Sequence, residues 1–160
     1  MCSMDQVARD PGDARFRLLK GGLVATSTIP VPQCLLSCAT ESLPCAAGEI
    51  IVLRVSGEVD LCTLPTLQTA LDHSLDQHPA HLVVDLTQMT FCFARGLDLV
   101  TQSRHTAAEN ATGYTVSGAL PHIHRLWTLL WDGDLPVRHR STAAAVMAIR
   151  TAEVRSAPRD

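Results

Sequence analysis

The side chains best suited to metal or thiol chemistry are six cysteines and seven histidines in 160 residues. Cys34 and Cys38 precede Cys45 with no second pair at zinc-ribbon spacing, and His122 and His124 stand two apart, which does not place them on one helical face. No metal site and no cofactor is read from this pattern. Asp60 and Asp85 each follow an apolar run. As a catalytic pair they would need a nucleophile or an oxyanion donor, and neither accompanies them. The expected role of both is hydrogen bonding to loop amides and helix starts, and no catalytic residue is assigned. Cys62 and Cys92 follow the same two runs, so the fold can bring them together. A reversible disulfide there is a redox hypothesis; a bridge needs Cα atoms within about 7 Å, and free cysteines are more often small buried hydrophobes. His73, His78 and His81 flank a helix end and are expected in solvent. Asn110-Ala111-Thr112 matches a glycosylation acceptor but reads as a helix-end sequence.

The elements that hold these residues follow from periodicity. Glu49 to Gly57 is an apolar, β-branched run ended by glycine, which predicts a strand. Leu64, Leu67, Leu71 and Leu75 recur at helical spacing, with Thr63 as N-cap and Pro65 in the first turn, and the helix stops near Pro79. His81 to Leu86 has a continuous apolar centre, as in a parallel strand buried on both faces. A helix over Gly96 to Asn110 follows, with Gly113 as its stop, then a short strand at Tyr114-Thr115-Val116. The next helix turns Ile123, Leu126, Trp127 and Leu130 inward and closes on Gly133 as a left-handed cap. Leu135-Pro136-Val137 supplies an edge strand, and a last helix runs from Ser141 to Arg150. Leu35 to Thr40 is a weaker strand ahead of them. The series predicts an α/β fold: a mixed, mostly parallel sheet of about five strands packed with about four helices.

Composition narrows the partners. At 46% hydrophobic and 18% charged residues the chain is not disordered. Aromatics are 4% and basic residues (13) are fewer than acidic ones (16), so nothing favours nucleic acid. The longest apolar run, Ala143 to Ile149, is too short to span a membrane. Asp5, Arg9 and Asp10 interrupt the N-terminus where a signal peptide needs an unbroken apolar stretch, so a cytoplasmic location with reduced thiols is expected. Residues 1–31, rich in glycine and proline, are expected to be a disordered extension, 32–150 the domain, and the polar residues 151–160 a frayed tail. The middle of the chain is acidic, which favours a basic protein partner.

Four segments in this order resemble a known family. Ser56-Gly57-Glu58-Val59-Asp60-Leu61 is similar to the Gly-Glu-(Leu or Val)-Asp strand end of the STAS domain, shared by anti-sigma factor antagonists and sulphate transporter tails. Val83 to Thr87 resembles its Val-Val-Asp-Leu-Ser strand. Thr90-Phe91 with Gly96-Leu97 resembles the frame of its regulatory loop, and Leu126 to Leu130 with Gly133 its third helix. The resemblance covers about residues 35–150 and implies a STAS fold. It also implies an anti-sigma factor antagonist that binds a kinase-like anti-sigma factor in a partner-switching pathway controlling sigma factor activity and transcription. Oligomeric state is then expected to be monomer or weak homodimer.

One departure matters. The family's loop carries Asp-Ser-(Ser or Thr)-Gly, whose first serine the partner kinase phosphorylates; here Phe93-Ala94-Arg95-Gly96 stands in its place. A methyl group offers no oxygen to a phosphoryl donor, so the usual switch is absent, while the positive helix end remains. The resemblance places partner contacts at Glu58, Asp60, Thr90, Phe91, Cys92, Phe93, Ala94, Arg95 and Gly96, on a loop from Thr90 to Gly96. Of Phe91 and Phe93, one is expected inward and one toward solvent. An outward Phe93 would enlarge an apolar contact patch, and an inward one would pack on the following helix. Arg95 is a cation near a helix start, read either as surface drift or as a salt bridge to a partner carboxylate. The alternative function is a STAS-type small-molecule or nucleotide sensor, or a soluble subunit of a transport complex.

Overall fold

The structure is a computed structural model that describes residues 16–19, 22–25, 35–133 and 135–156. The chain divides into two compact units, Met1–Gln33 and Cys34–Asp160. In the first, β1 (Phe16–Leu19) pairs antiparallel with β2 (Gly22–Ala25), joining Leu19 to Gly22 across two intervening residues. A disordered extension was the expectation for residues 1–31. The paired segments are the eight described residues of that stretch, and the rest of the expectation lies outside the described residues.

The second unit runs β3 (Leu36–Cys45), β4 (Gly48–Val59), α1 (Leu64–Asp76), β5 (His81–Cys92), α2 (Ala94–Glu109), β6 (Gly113–Ser117), α3 (Pro121–Leu130), β7 (Val137–His139) and α4 (Thr142–Ser156). The sheet order is β3-β4-β5-β6-β7, with β3 antiparallel to β4 and every other pair parallel. This is the mixed, mostly parallel sheet with four helices that the periodicity predicts.

Unbroken apolar runs arise because the central strands are covered on both faces. Along β4, Ile51, Leu53 and Val55 join Leu67, Leu71 and Leu75 of α1, Leu97 and Val100 of α2, and Ile123 and Trp127 of α3 in one core. The alternate residues Ile50 and Val52, with Val83 of β5, meet Ala145, Val146 and Ile149 of α4 on the other side. Inside the larger core the Trp127 indole N–H donates to the Thr101 hydroxyl at 2.8 Å, so the buried polar group is satisfied.

Several boundaries depart from the periodic reading. Gly57 does not end β4; its φ of +103° and the Leu35 carbonyl that a Cβ would strike make it an irregular point inside a strand that continues to Val59. β5 runs six residues past Leu86, to Cys92, because it resumes pairing with β4 after two register shifts, as far as Val59 opposite Cys92. The left-handed residue after α2 is Ala111 (φ 55°), not Gly113, which begins β6; α3 ends on an extended Trp131 rather than on a left-handed Gly133. Of the four residues expected inward on α3, only Ile123 and Trp127 are buried, while Leu126 and Leu130 are exposed. Finally, 151–156 is helix rather than frayed tail. Glu153 accepts hydrogen bonds from the Ala46 and Ala47 amides at 3.2 and 3.0 Å, tying the last turn of α4 to the β3–β4 connection.

Candidate functional site

The carboxyl ends of β4 and β5 and the start of α2 build one exposed junction. Glu58 pairs with Phe91 and Val59 with Cys92, after which the Phe93 amide donates to the Val59 carbonyl at 3.1 Å. Phe93 is the extended N-cap of α2, and the Gly96 and Leu97 amides donate to its carbonyl at 2.9 and 3.3 Å. The expected loop from Thr90 to Gly96 therefore does not exist as a loop. Thr90, Phe91 and Cys92 finish a strand, Ala94, Arg95 and Gly96 begin a helix, and only Phe93 lies between. No side chain caps α2 and no acidic residue stands in its first turn, so the helix end keeps its partial positive charge.

Gly96 makes this abrupt turn sterically feasible. A Cβ there would lie 2.6 Å from the Cys92 sulfur and 2.7 Å from a Val59 methyl, so the first turn of α2 sits directly on the two strand ends. Ala94 and Arg95 occupy the exposed side of that turn. Phe91 is the outward aromatic, 49% exposed, whereas Phe93 is half-buried against the core, so of the two arrangements open from the sequence the structure has the one with Phe93 packed inward. Thr90 is exposed and its hydroxyl donates to the Gly57 carbonyl at 3.1 Å.

The β4–α1 turn flanks the junction. The Asp60 carboxylate accepts from the Cys62 and Thr63 amides at 2.8 and 2.9 Å, and the Asp60 amide donates to the Thr63 hydroxyl at 2.8 Å. That hydroxyl donates to the Glu58 carbonyl at 2.9 Å, while the Glu58 side chain is exposed. These donors, the Thr63 amide first, hold the Asp60 carboxyl below its ordinary pKa. Asp60 thus has the helix-start role expected of it. Asp85 accepts from the Thr87 amide at 2.9 Å and lies 3.8 Å from Arg54, which also pairs with Glu41 at 2.7 Å. It is not at a strand end, however. Opposite Arg54 in the middle of β5, it stands about six strand residues, or roughly 20 Å, from Asp60, and the two form no pair.

Cys62 is exposed and Cys92 is 2% exposed, and both are free, as are Cys38 and Cys45. Burial pushes the Cys92 thiol up to about 12, which leaves it protonated at neutral pH. Cys34 lies outside the described residues. Among the described residues no three His, Cys, Asp or Glu side chains converge to hold a metal ion.

Periodicity did not place α3 at this junction, yet it forms one wall. The His122 Nε2 lies 3.2 Å from the Thr90 carbonyl oxygen, and Leu130 and Trp131 join Ala94, Arg95 and Asp98 around a groove of about 200 Å³. The one sequence signal was an excess of leucine on α3 beyond what Ile123 and Trp127 need to anchor it. An exposed aromatic, an apolar groove, a cation and a positive helix end form a surface suited to docking.

Comparison with known proteins agrees with this fold. The family model described as "Mlab, STAS domain" matches residues 45–130. A crystal structure of an anti-sigma factor antagonist from Mycobacterium paratuberculosis superposes with a TM-score of 0.60 at 24% identity, over 71% of this chain and 95% of its own. Unphosphorylated SpoIIAA, also an anti-sigma factor antagonist, gives 0.52 at 15% identity, over 74% of this chain and 99% of its own. A variant of RsbS from Moorella thermoacetica gives 0.58 at 12%, over 72% and 97%. No curated protein matches the chain in sequence. Among the described residues no helix is long and apolar enough to cross a membrane.

Proposed function

This chain belongs to the STAS domain family, and from that premise we propose that it is a binding module of the anti-sigma factor antagonist kind, not an enzyme. Its partner in this reading is a kinase-like anti-sigma factor. Binding releases a sigma factor by partner switching and so regulates transcription. The observation that carries the reading is the junction itself, where Phe91, Ala94 and Arg95 stand exposed at an uncapped helix start beside the Leu130–Trp131 groove. Aromatic and arginine side chains around a small apolar pocket are favoured anchors of protein interfaces. Glu58 and Thr90 extend the surface; Asp60, Cys92, Phe93 and Gly96 hold its shape.

Ala94 makes the module constitutively competent: no residue from Phe91 to Leu97 carries a hydroxyl. Affinity capture from the native cells, repeated with Phe91→Ala and Arg95→Ala, tests the reading. Recovery of an anti-sigma factor that both substitutions abolish is the expected result. Incubation with that kinase and ATP is expected to leave 91–97 unmodified, while Ala94→Ser gains phosphate. Recovery of an anti-sigma factor undiminished by either substitution refutes the assigned surface, and consistent recovery of no anti-sigma factor refutes the function. A second reading, a small-ligand sensor or the soluble subunit of a transport complex, is favoured by the same missing phosphoacceptor, since a loop without its switch leaves room for another control.

A further inference from the structure

On the far side of α3 from the docking junction lies a cavity of about 460 Å³, at the carboxyl ends of the parallel strands β6 and β7. The Gly118–Pro121 segment forms one wall, and His124, Arg138, His139 and Arg140 surround the rest. Among the described residues no carboxylate lines it, and neither arginine makes an ion pair. Two guanidiniums and two imidazoles are thus gathered, with no counter-charge among the described residues, on a domain that is otherwise acidic. Burial first, and then the Arg138 charge beside it, hold His124 below its ordinary pKa. The Gly118 amide donates to the His139 carbonyl at 3.1 Å, which fastens the β6–α3 connection to the end of β7 and shapes the wall. α3 opens on this wall with Leu120 as N-cap, no side-chain cap and no acid in its first turn.

We propose that this cavity binds the phosphate group of a small phosphorylated ligand. Guanidinium groups match phosphate oxygens in a bidentate fork, and two of them suit a dianion better than a single carboxylate. In open α/β sheets the crevice outside the carboxyl ends of the strands is where ligands bind. The cavity falls in the size range of small-molecule sites, about 300–1,000 Å³, and exceeds what a bare phosphate fills. The inference stands apart from partner switching. His122 faces Thr90 and the junction, whereas His124, two residues on and so turned by about 200° around the helix, faces the cavity.

Calorimetric titration of the full chain with glycerol 3-phosphate, with inorganic phosphate, and with glycerol and acetate at matched ionic strength tests this without any protein partner. Saturable binding of the two phosphates and not of glycerol or acetate is expected. Arg138→Gln should weaken it about tenfold, the loss of one charge-assisted hydrogen-bonding partner, and the Arg138→Gln/Arg140→Gln double variant should abolish it. Arg155→Gln, which removes an equal charge from the exposed end of α4, should leave it unchanged. Both cavity arginines are exposed, and circular dichroism of the variants confirms folding. Absence of saturable phosphate binding, an undiminished double variant, or an equal loss in Arg155→Gln overturns the proposal. None of these outcomes bears on whether the junction captures an anti-sigma factor.

Discussion

Substituting Gly96 by alanine separates two opposite expectations. In an ordinary helix the change is stabilising, because glycine is about 1 kcal/mol less favourable than alanine in a helix interior. Here the new methyl would lie 2.6 Å from the Cys92 sulfur and 2.7 Å from the Val59 methyl, against the 3.5–4.0 Å or so of a favourable carbon contact. Neither neighbour has room to retreat, since Val59 is 0% and Cys92 2% exposed. Overpacking of this kind costs about 1–3 kcal/mol, so the net destabilisation is on the order of 1 kcal/mol. For a domain of this size that lowers Tm by about 4 °C, readable by calorimetry or by near-ultraviolet circular dichroism. Cys92→Ala removes the nearer obstacle, so Gly96→Ala should cost less in that background, and the double-mutant cycle should show positive coupling. Because α2 must shift to admit the methyl, Gly96→Ala should also weaken partner capture. A Tm raised by Gly96→Ala in the parent background would refute the packing of α2 on the strand ends, and with it the geometry assigned to the junction.

Three further outcomes follow from the same structure. Thr101→Val strands the Trp127 indole N–H inside the core and should destabilise by about 1–3 kcal/mol, measured by urea denaturation; an unchanged midpoint would show that the indole finds another acceptor. In the native protein Cys62 should react rapidly with a thiol reagent while Cys92 reacts only after unfolding, as peptide mapping of labelled chains reports; a Cys62–Cys92 bridge formed by mild oxidant without unfolding contradicts the burial seen here. Asp60 and Glu153, whose pKa values are both lowered by backbone amides, bind fewer protons folded than unfolded, so their contribution is present above the ordinary carboxylate range and lost as pH falls through it. An Asp60→Asn/Glu153→Gln variant should therefore show a flatter decline of stability between about pH 5 and pH 3 than the parent, checked by denaturation across that range.

The elements, their order and their layering were legible in the chain because these rest on local periodicity. The largely apolar Ile50–Val55 and Leu82–Leu86 runs require strands covered on both faces, and the leucine spacing from Leu64 to Leu75 requires a helix against them. Asp60 was readable as a helix-start acceptor for the same reason: its partners lie two and three residues away. What depended on residues distant in the chain was decided only by tertiary structure. β5 continues to Cys92 because β4 is beside it, which turns the expected Thr90–Gly96 loop into a strand–helix junction and sends Phe91 rather than Phe93 to solvent. α4 continues to Ser156 because Glu153 finds amides more than one hundred residues earlier. The groove at Leu130 and the basic cavity of Arg138 and Arg140 exist only where separate crossovers meet. A sequence records which side chains are apolar or charged and at what local period. Which strand ends, turns and helices become neighbours is settled by the packing of the whole sheet.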